Sequence, residues 1–113
     1  MISTDQILRS VLDGRVFLIG EFRNAKVSTS NSVDCNSGEA IKEHEIVYAV
    51  EAGSTFGQVM IYRRPPTGFS EGDNPTTGLV KGARYAFDLD RLVRKSGFVN
   101  AHLGHREPEL IVP

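Results

Sequence analysis

Apolar residues at Ile7, Leu8, Val11 and Leu12 recur at i, i+1, i+4 and i+5, one stripe along a helix of about ten residues. Ser3 with Gln6 three positions later makes a capping-box start, and Gly14 is a natural stop. So short a helix is marginal alone and must dock on something; a barrel end and a second copy are both open to it. From Arg15 onward the period becomes two. Arg15 to Val27 is rich in Val, Phe and Ile and predicts a first strand, with Gly20 marking a bulge or sharp bend. Ile41 to Glu51 predicts a second, with Ile46, Tyr48 and Val50 on one face and Glu45 and Val47 on the other. Phe56 to Arg63 predicts a third, where Val59 and Ile61 alternate with Gln58, Met60 and Tyr62. In the fourth, Arg84 to Arg94, Tyr85, Phe87 and Leu89 face one way and Ala86, Asp88 and Asp90 the other. Phe98 to Leu103 is a fifth, and Glu109 to Val112 is a short closing strand.

Two stretches carry no period. Ser28 to Ala40 is dense in Ser, Asn, Asp and Gly and reads as a hairpin arm or mobile loop, about residues 27–40. Arg64 to Lys81 holds three prolines and three glycines, and a connection of that length in a compact domain is functional or disordered. Five short strands with one long irregular connection between the third and fourth predict an all-β fold of OB type, a five-stranded antiparallel barrel, partly open. The single domain would comprise a helix over 1–14 and a barrel over 15–113, with its loop at 64–81. That loop stands where the plan carries a helix, so the variant is a reduced one.

A chain of 113 residues supports one core. Its 40% hydrophobic and 24% charged residues are ordinary for a soluble protein. A net charge of −1 excludes a histone-like basic binder, yet charge is unevenly spread. Residues 1–62 carry 5 basic and 8 acidic side chains, whereas residues 63–113 carry 8 and 6. An anionic partner should prefer the C-terminal half. A lone cysteine, Cys35, forms no internal disulfide and suits a reducing compartment. Neither a secretory signal nor an apolar run of about 20 residues is visible, so the expectation is a cytoplasmic protein with no membrane partner.

Single-stranded nucleic acid is held by cations along its backbone and by aromatic faces under its bases. The best constellation for that chemistry is Tyr62, Arg63 and Arg64 at the end of the third strand, with Arg91, Arg94, Lys95 and Phe98 around the last hairpin. Lys81 and Arg84 extend it. The bland alternative is a set of solvated turn cations and a rim tyrosine. Phe69, within the Pro/Gly loop, either closes over a ligand or docks the loop on the barrel. His102, His105 and Glu107 lack the spacing of a metal site. Asp88 and Asp90 read as a solvated face or as ion partners of Arg91 or Arg94. No phosphate loop or nucleophile elbow is present, and neither an enzyme nor a cofactor is expected.

From Val27 onward the chain resembles the single-stranded DNA-binding proteins of filamentous phages. The resemblance rests on the Thr/Ser-rich start at Val27–Thr29, the polar tip up to Gly38 and the strand through Tyr48 before Gly53. Further along it rests on Gly82 ahead of Arg84-Tyr85, the basic turn Arg94-Lys95-Ser96-Gly97-Phe98 and the ending Ile111-Val112-Pro113. It implies a reduced OB barrel with a protruding DNA-binding hairpin, a homodimer, and a role in viral replication. It adds Tyr48 to Phe98 as base-stacking aromatics. This chain departs where the family's hairpin carries cations and a tyrosine, offering Ser30, Cys35, Gly38 and Ala40 with Asp34 and Glu39. The expectation is therefore binding of single-stranded DNA, or RNA, without strong sequence preference. The alternative is a protein-binding β-barrel adaptor that uses the Pro/Gly loop.

Overall fold

The computed structural model describes every residue but 54–56, 71, 76–77, 96–97, 105 and 113; the side chains of residues 93–95 and 98–99 are likewise outside the description. Eight strands and one helix follow one another as β1 (Ile2–Ser3), α1 (Thr4–Leu12), β2 (Val16–Val33), β3 (Ala40–Glu51), β4 (Gln58–Arg63), β5 (Arg84–Leu89), β6 (Arg91–Lys95), β7 (Phe98–Gly104) and β8 (Glu109–Val112). They form one sheet in the order β1-β8-β5-β2-β3-β4-β7-β6. All neighbours are antiparallel except β4 with β7 and β1 with β8.

The fold is mostly β and of OB type in its central order, but the expectation of five strands in a barrel needs correction. Among the described residues the sheet has eight strands and begins and ends on different ones, so no closed barrel is found. Of the additions, β1 pairs with β8 over only two residues, too short to leave a periodic signal, and β8 is the short closing strand expected over Glu109–Val112. A third arises because the expected fourth strand breaks at Asp90. Before the break Leu89 pairs with Val16 of β2, and after it Arg91 pairs with His102 of β7. At the break itself the Asp90 N–H donates to the His102 carbonyl (2.7 Å).

β2 is what bends the sheet. Its first six residues pair with β5, ending at Glu21↔Arg84, while from Glu21↔Glu51 to Val33↔Ala40 it pairs with β3. The register slips between Phe22 and Asn24, a bulge at Arg23 that adds local twist. Gly20 lies just before this exchange of partners. A Cβ there would meet Val50 Cγ1 at 2.3 Å and the Glu51 carbonyl oxygen at 2.9 Å, so only glycine lets β3 approach so closely.

Alternation decides the core. Phe22, Tyr48, Val50, Ile61, Tyr85, Phe87 and Leu103 are buried together on the inner face. Phe22 meets Tyr48 and Tyr85 edge-on, at ring-centroid distances of 6.3 and 6.2 Å, a geometry the ring quadrupole favours. Tyr85 also accepts the Val80 N–H on its hydroxyl (2.7 Å), which ties the end of the Pro/Gly loop to the core. Phe69 and Leu79 of that loop pack against the same core.

Both hydrogen bonds of the capping box are made: Gln6 N–H to Ser3 Oγ (3.2 Å) and Ser3 N–H to Gln6 Oε1 (2.8 Å). α1 docks on its own sheet, where Ile2 and Ile7 bury against Ala86 with Phe17 and Ile111 beside them. Ala86 belongs to the outward face of β5, so the helix covers a sheet face and not an open end. Leu8 and Leu12 stay 58% and 78% exposed.

Of the two readings of residues 28–40, hairpin arm and mobile loop, the structure shows the hairpin arm. β2 runs on through Val33, β3 resumes at Ala40, and the turn occupies only 34–39. Within it Asp34 Oδ1 accepts the Asn36 N–H (2.8 Å), the Asp34 carbonyl accepts the Gly38 N–H (2.8 Å), and Gly38 takes φ +72°. Ser and Asn suggest turns, but here Ser28, Ser30 and Ser32 are exposed strand residues across from Glu45, Glu43 and Ile41, and Asn31 stands across from Lys42. The resulting ribbon lengthens the molecule to 50 Å against 29 and 26 Å in the other directions. Among the described residues no helix is long and apolar enough to cross a membrane.

Candidate nucleic-acid interface

Directly opposite residues on neighbouring strands share a sheet face. One such row crosses five strands on the outer face: Lys26 (β2), Val47 (β3), Tyr62 (β4), His102 (β7) and Arg91 (β6). Val47 is buried, Tyr62 and His102 are half-buried, and the two end cations are exposed. The Tyr62 and His102 rings are stacked, with centroids 5.3 Å apart and planes at 24°. Each ring keeps one face that the other does not cover.

A cleft of about 610 Å³ opens beside the pair, walled by Glu45, Arg64, Arg91, Asp90 and Arg106. Its cations differ in what they are free to do. Arg106 is engaged, reaching Asp90 Oδ1 at 3.1 Å and Asp88 Oδ2 at 3.8 Å. The Arg64 backbone N–H donates to the Gly104 carbonyl (2.7 Å). The exposed side chains of Arg64 and Arg91 form no ion pair among the described residues. Partial burial, and then the neighbouring charge of Arg91, push the His102 pKa below its ordinary value, against smaller opposing effects of Glu45 and Asp90. The imidazole thus stays neutral at neutral pH and presents a flat face without charge.

Sequence-expected residues distribute unequally over this structure. Tyr62, Arg64 and Arg91 come together at the cleft. Tyr48 does not: it is 1% exposed in the inner core, out of reach of any base, and burial raises its phenol pKa despite Arg63 nearby. Arg63 also turns inward, donating from Nη1 to the Tyr48 hydroxyl (3.2 Å) and from Nη2 to Glu107 Oε1 (3.3 Å). Its place in the strand explains this, because it shares the parity of Val59 and Ile61. Lys81 and Arg84 are exposed, but Arg84 sits opposite Glu21, five residues along β2 from Lys26. That is about 16 Å at the usual rise, so they do not join the cleft. The side chains of Arg94, Lys95 and Phe98 lie outside the described residues, as does His105.

Asp88 and Asp90 pair with Arg15 and Arg106, and the expected pairing with Arg94 lies outside the described residues. Asp88 Oδ1 accepts from Arg15 through Nε (2.9 Å) and Nη2, and Arg106 bridges both acids. Reasoning from sequence missed Lys26, His102 and Arg106. Outward parity of Lys26 and His102 was readable, but their alignment with Tyr62 depends on a register between distant strands. No group of three or more His, Cys, Asp or Glu suited to a metal is found among the described residues.

No known family model matches the chain, and no curated protein matches it. Among solved structures, the OB domain of a Thermoplasma acidophilum protein covers 99% of this chain, and 90% of that domain is matched. The TM-score is 0.47 and the identity 12%, a likeness too distant to carry a functional argument. The OB-type description used here rests on the strand pairing itself.

Proposed function

We propose that the outer face of β3, β4 and β7 binds single-stranded nucleic acid without sequence preference. The observation that carries this reading is the stacked Tyr62–His102 pair lying in one row between Lys26 and Arg91. Flat faces of this kind stack any base, while cations at either side neutralise phosphates. Strands two and three of an OB barrel are the ligand face of that plan, and here these are β3 and β4. Arg64 supplies a further cation at the cleft wall, and Arg94, Lys95 and Phe98 continue the same chain segment beyond Arg91. The phage-type role in coating replicated DNA is the narrower form of this proposal. In it the β2–β3 ribbon is the wing, though one with acids at Asp34, Glu39 and Glu43 in place of cations.

The adaptor alternative draws less support, because Phe69 packs inward and does not offer a contact surface. A homodimer is proposed through Leu8, Val11, Leu12 and Val16, all at least 46% exposed around α1. The protein would act in the cytoplasm as a binder without catalytic chemistry.

Fluorescence anisotropy with labelled oligo-dT and a matching duplex, at low and near-physiological salt, tests the reading. Single-strand binding that weakens steeply with salt, and is lost when Tyr62 and Arg91 are both replaced by alanine, is the expected result. Absence of binding at low salt would remove it.

A further inference from the structure

A second cavity, of about 560 Å³, lies on the inner side of the sheet under the Pro/Gly loop. Tyr48, Phe69 and Leu79 supply apolar wall, and Arg63 is its cationic member. Its size falls within the range of small-molecule sites, roughly 300–1,000 Å³. Arg63 is only 12% exposed, and its three nitrogens fare differently. Nη1 donates to the Tyr48 hydroxyl, Nη2 donates to Glu107 Oε1 at 3.3 Å, and Nε is buried with no partner among the described residues. Nε and Nη2 share one edge of the planar guanidinium, the edge that a carboxylate fills with two parallel hydrogen bonds. Glu107 half-fills it, at a long distance, from a side chain that is 78% exposed. The other acid on the cavity wall, Asp73, already accepts the Ser70 N–H (2.8 Å).

We propose that this cavity binds a small organic carboxylate with a flat apolar body. The carboxylate replaces Glu107 on the Nε/Nη2 edge of Arg63, and the body lies between Phe69 and Leu79. The site is on the opposite face from Tyr62 and does not depend on the nucleic-acid reading.

NMR titration of the full chain, following the Arg63 Nε–H resonance, tests it with phenylacetate and benzoate as probes and phenylacetamide as the neutral control. The expected result is a saturable shift with the carboxylates and binding of the amide at least about tenfold weaker, as loss of a charge-assisted pair requires. Glu107→Gln, at an exposed position, should tighten phenylacetate binding several-fold by removing the competitor. Arg63→Lys, which keeps charge but loses the fork, should weaken it by about tenfold or more. If neither the parent nor Glu107→Gln shows a saturable shift up to about 10 mM, or if phenylacetamide matches phenylacetate, the proposal is wrong.

Discussion

Tyr62 and His102 stack across the parallel pair of β4 and β7, on the side of the sheet away from the core. Neither ring is needed to fill the interior, which Ile61, Ala101 and Leu103 complete from the same strands. The pair can therefore be altered with little effect on folding. Tyr62→Ala should weaken oligo-dT binding by roughly 5- to 150-fold, the equivalent of about 1–3 kcal/mol for one stacked base. Tyr62→Phe should retain most of the affinity. Anisotropy titrations on both variants check this, and equal binding by Tyr62→Ala would remove the stacking role.

The lowered pKa of His102 has a consequence for stability with a definite sign. The unfolded chain takes up the imidazole proton near the ordinary value of 6.5, while the folded chain resists until lower pH. Between the two the unfolded state binds more protons, so stability falls as pH falls and stops falling below the folded pKa. His102→Phe keeps a ring on Tyr62 and removes the titration. Urea midpoints from about pH 7.5 to about pH 5 should decline less in this variant than in the parent. Parallel declines would contradict the argument.

Gly20→Ala forces a methyl group onto Val50 and the Glu51 carbonyl. Overpacking at this crossing should cost about 1–3 kcal/mol or more. Gly72 is the control, since among the described residues a Cβ there meets nothing within 4 Å and its φ is not in the left-handed region. Gly72→Ala should move stability by no more than about 0.5 kcal/mol. Chemical denaturation of the two variants makes the comparison, and equal midpoints would show that β2 does not need its glycine.

Helix α1 separates docking from association. Ile7→Ala empties a buried contact with Ala86 and should cost about 2–5 kcal/mol, less if the helix frays instead. Leu8→Asp with Leu12→Asp alters only exposed positions and should leave the thermal midpoint near that of the parent. Light scattering at tens of micromolar should register a dimer for the parent and a monomer for this double variant. A monomeric parent would remove the dimer.

Much of this was legible in strand parity. Ile46, Tyr48 and Val50 share one face, an alternation from which the burial of Tyr48 was readable; the family resemblance placed it at the ligand instead. Arg63 shares the parity of Ile61, so its inward turn was readable too, although the habit of keeping arginine in solvent argued otherwise. The capping box at Ser3 and Gln6 needed only local chemistry and is present as expected. By contrast, Arg15 with Asp88 joins residues 73 positions apart, and the Tyr62–His102 stack depends on a parallel register between distant strands. No local pattern encodes either. The break at Asp90 was hidden because strand-like composition continues through it while the pairing partner changes.

Beyond Val27 and Ile46 the β2–β3 ribbon has no third strand on either edge among the described residues, since β5 reaches only to Glu21 and β4 only to Ile46. A two-stranded ribbon is barely stable by itself in water, so its ladder can open without dissolving the sheet behind it. Amide protons from Ser28 to Glu45 should then exchange through local opening, and those around Tyr48 and Phe87 only through global unfolding. For the chain this means two layers of cooperativity. The turn at 34–39, with Cys35 exposed on it, becomes the place where inserted sequence or a thiol-linked reporter is tolerated most readily.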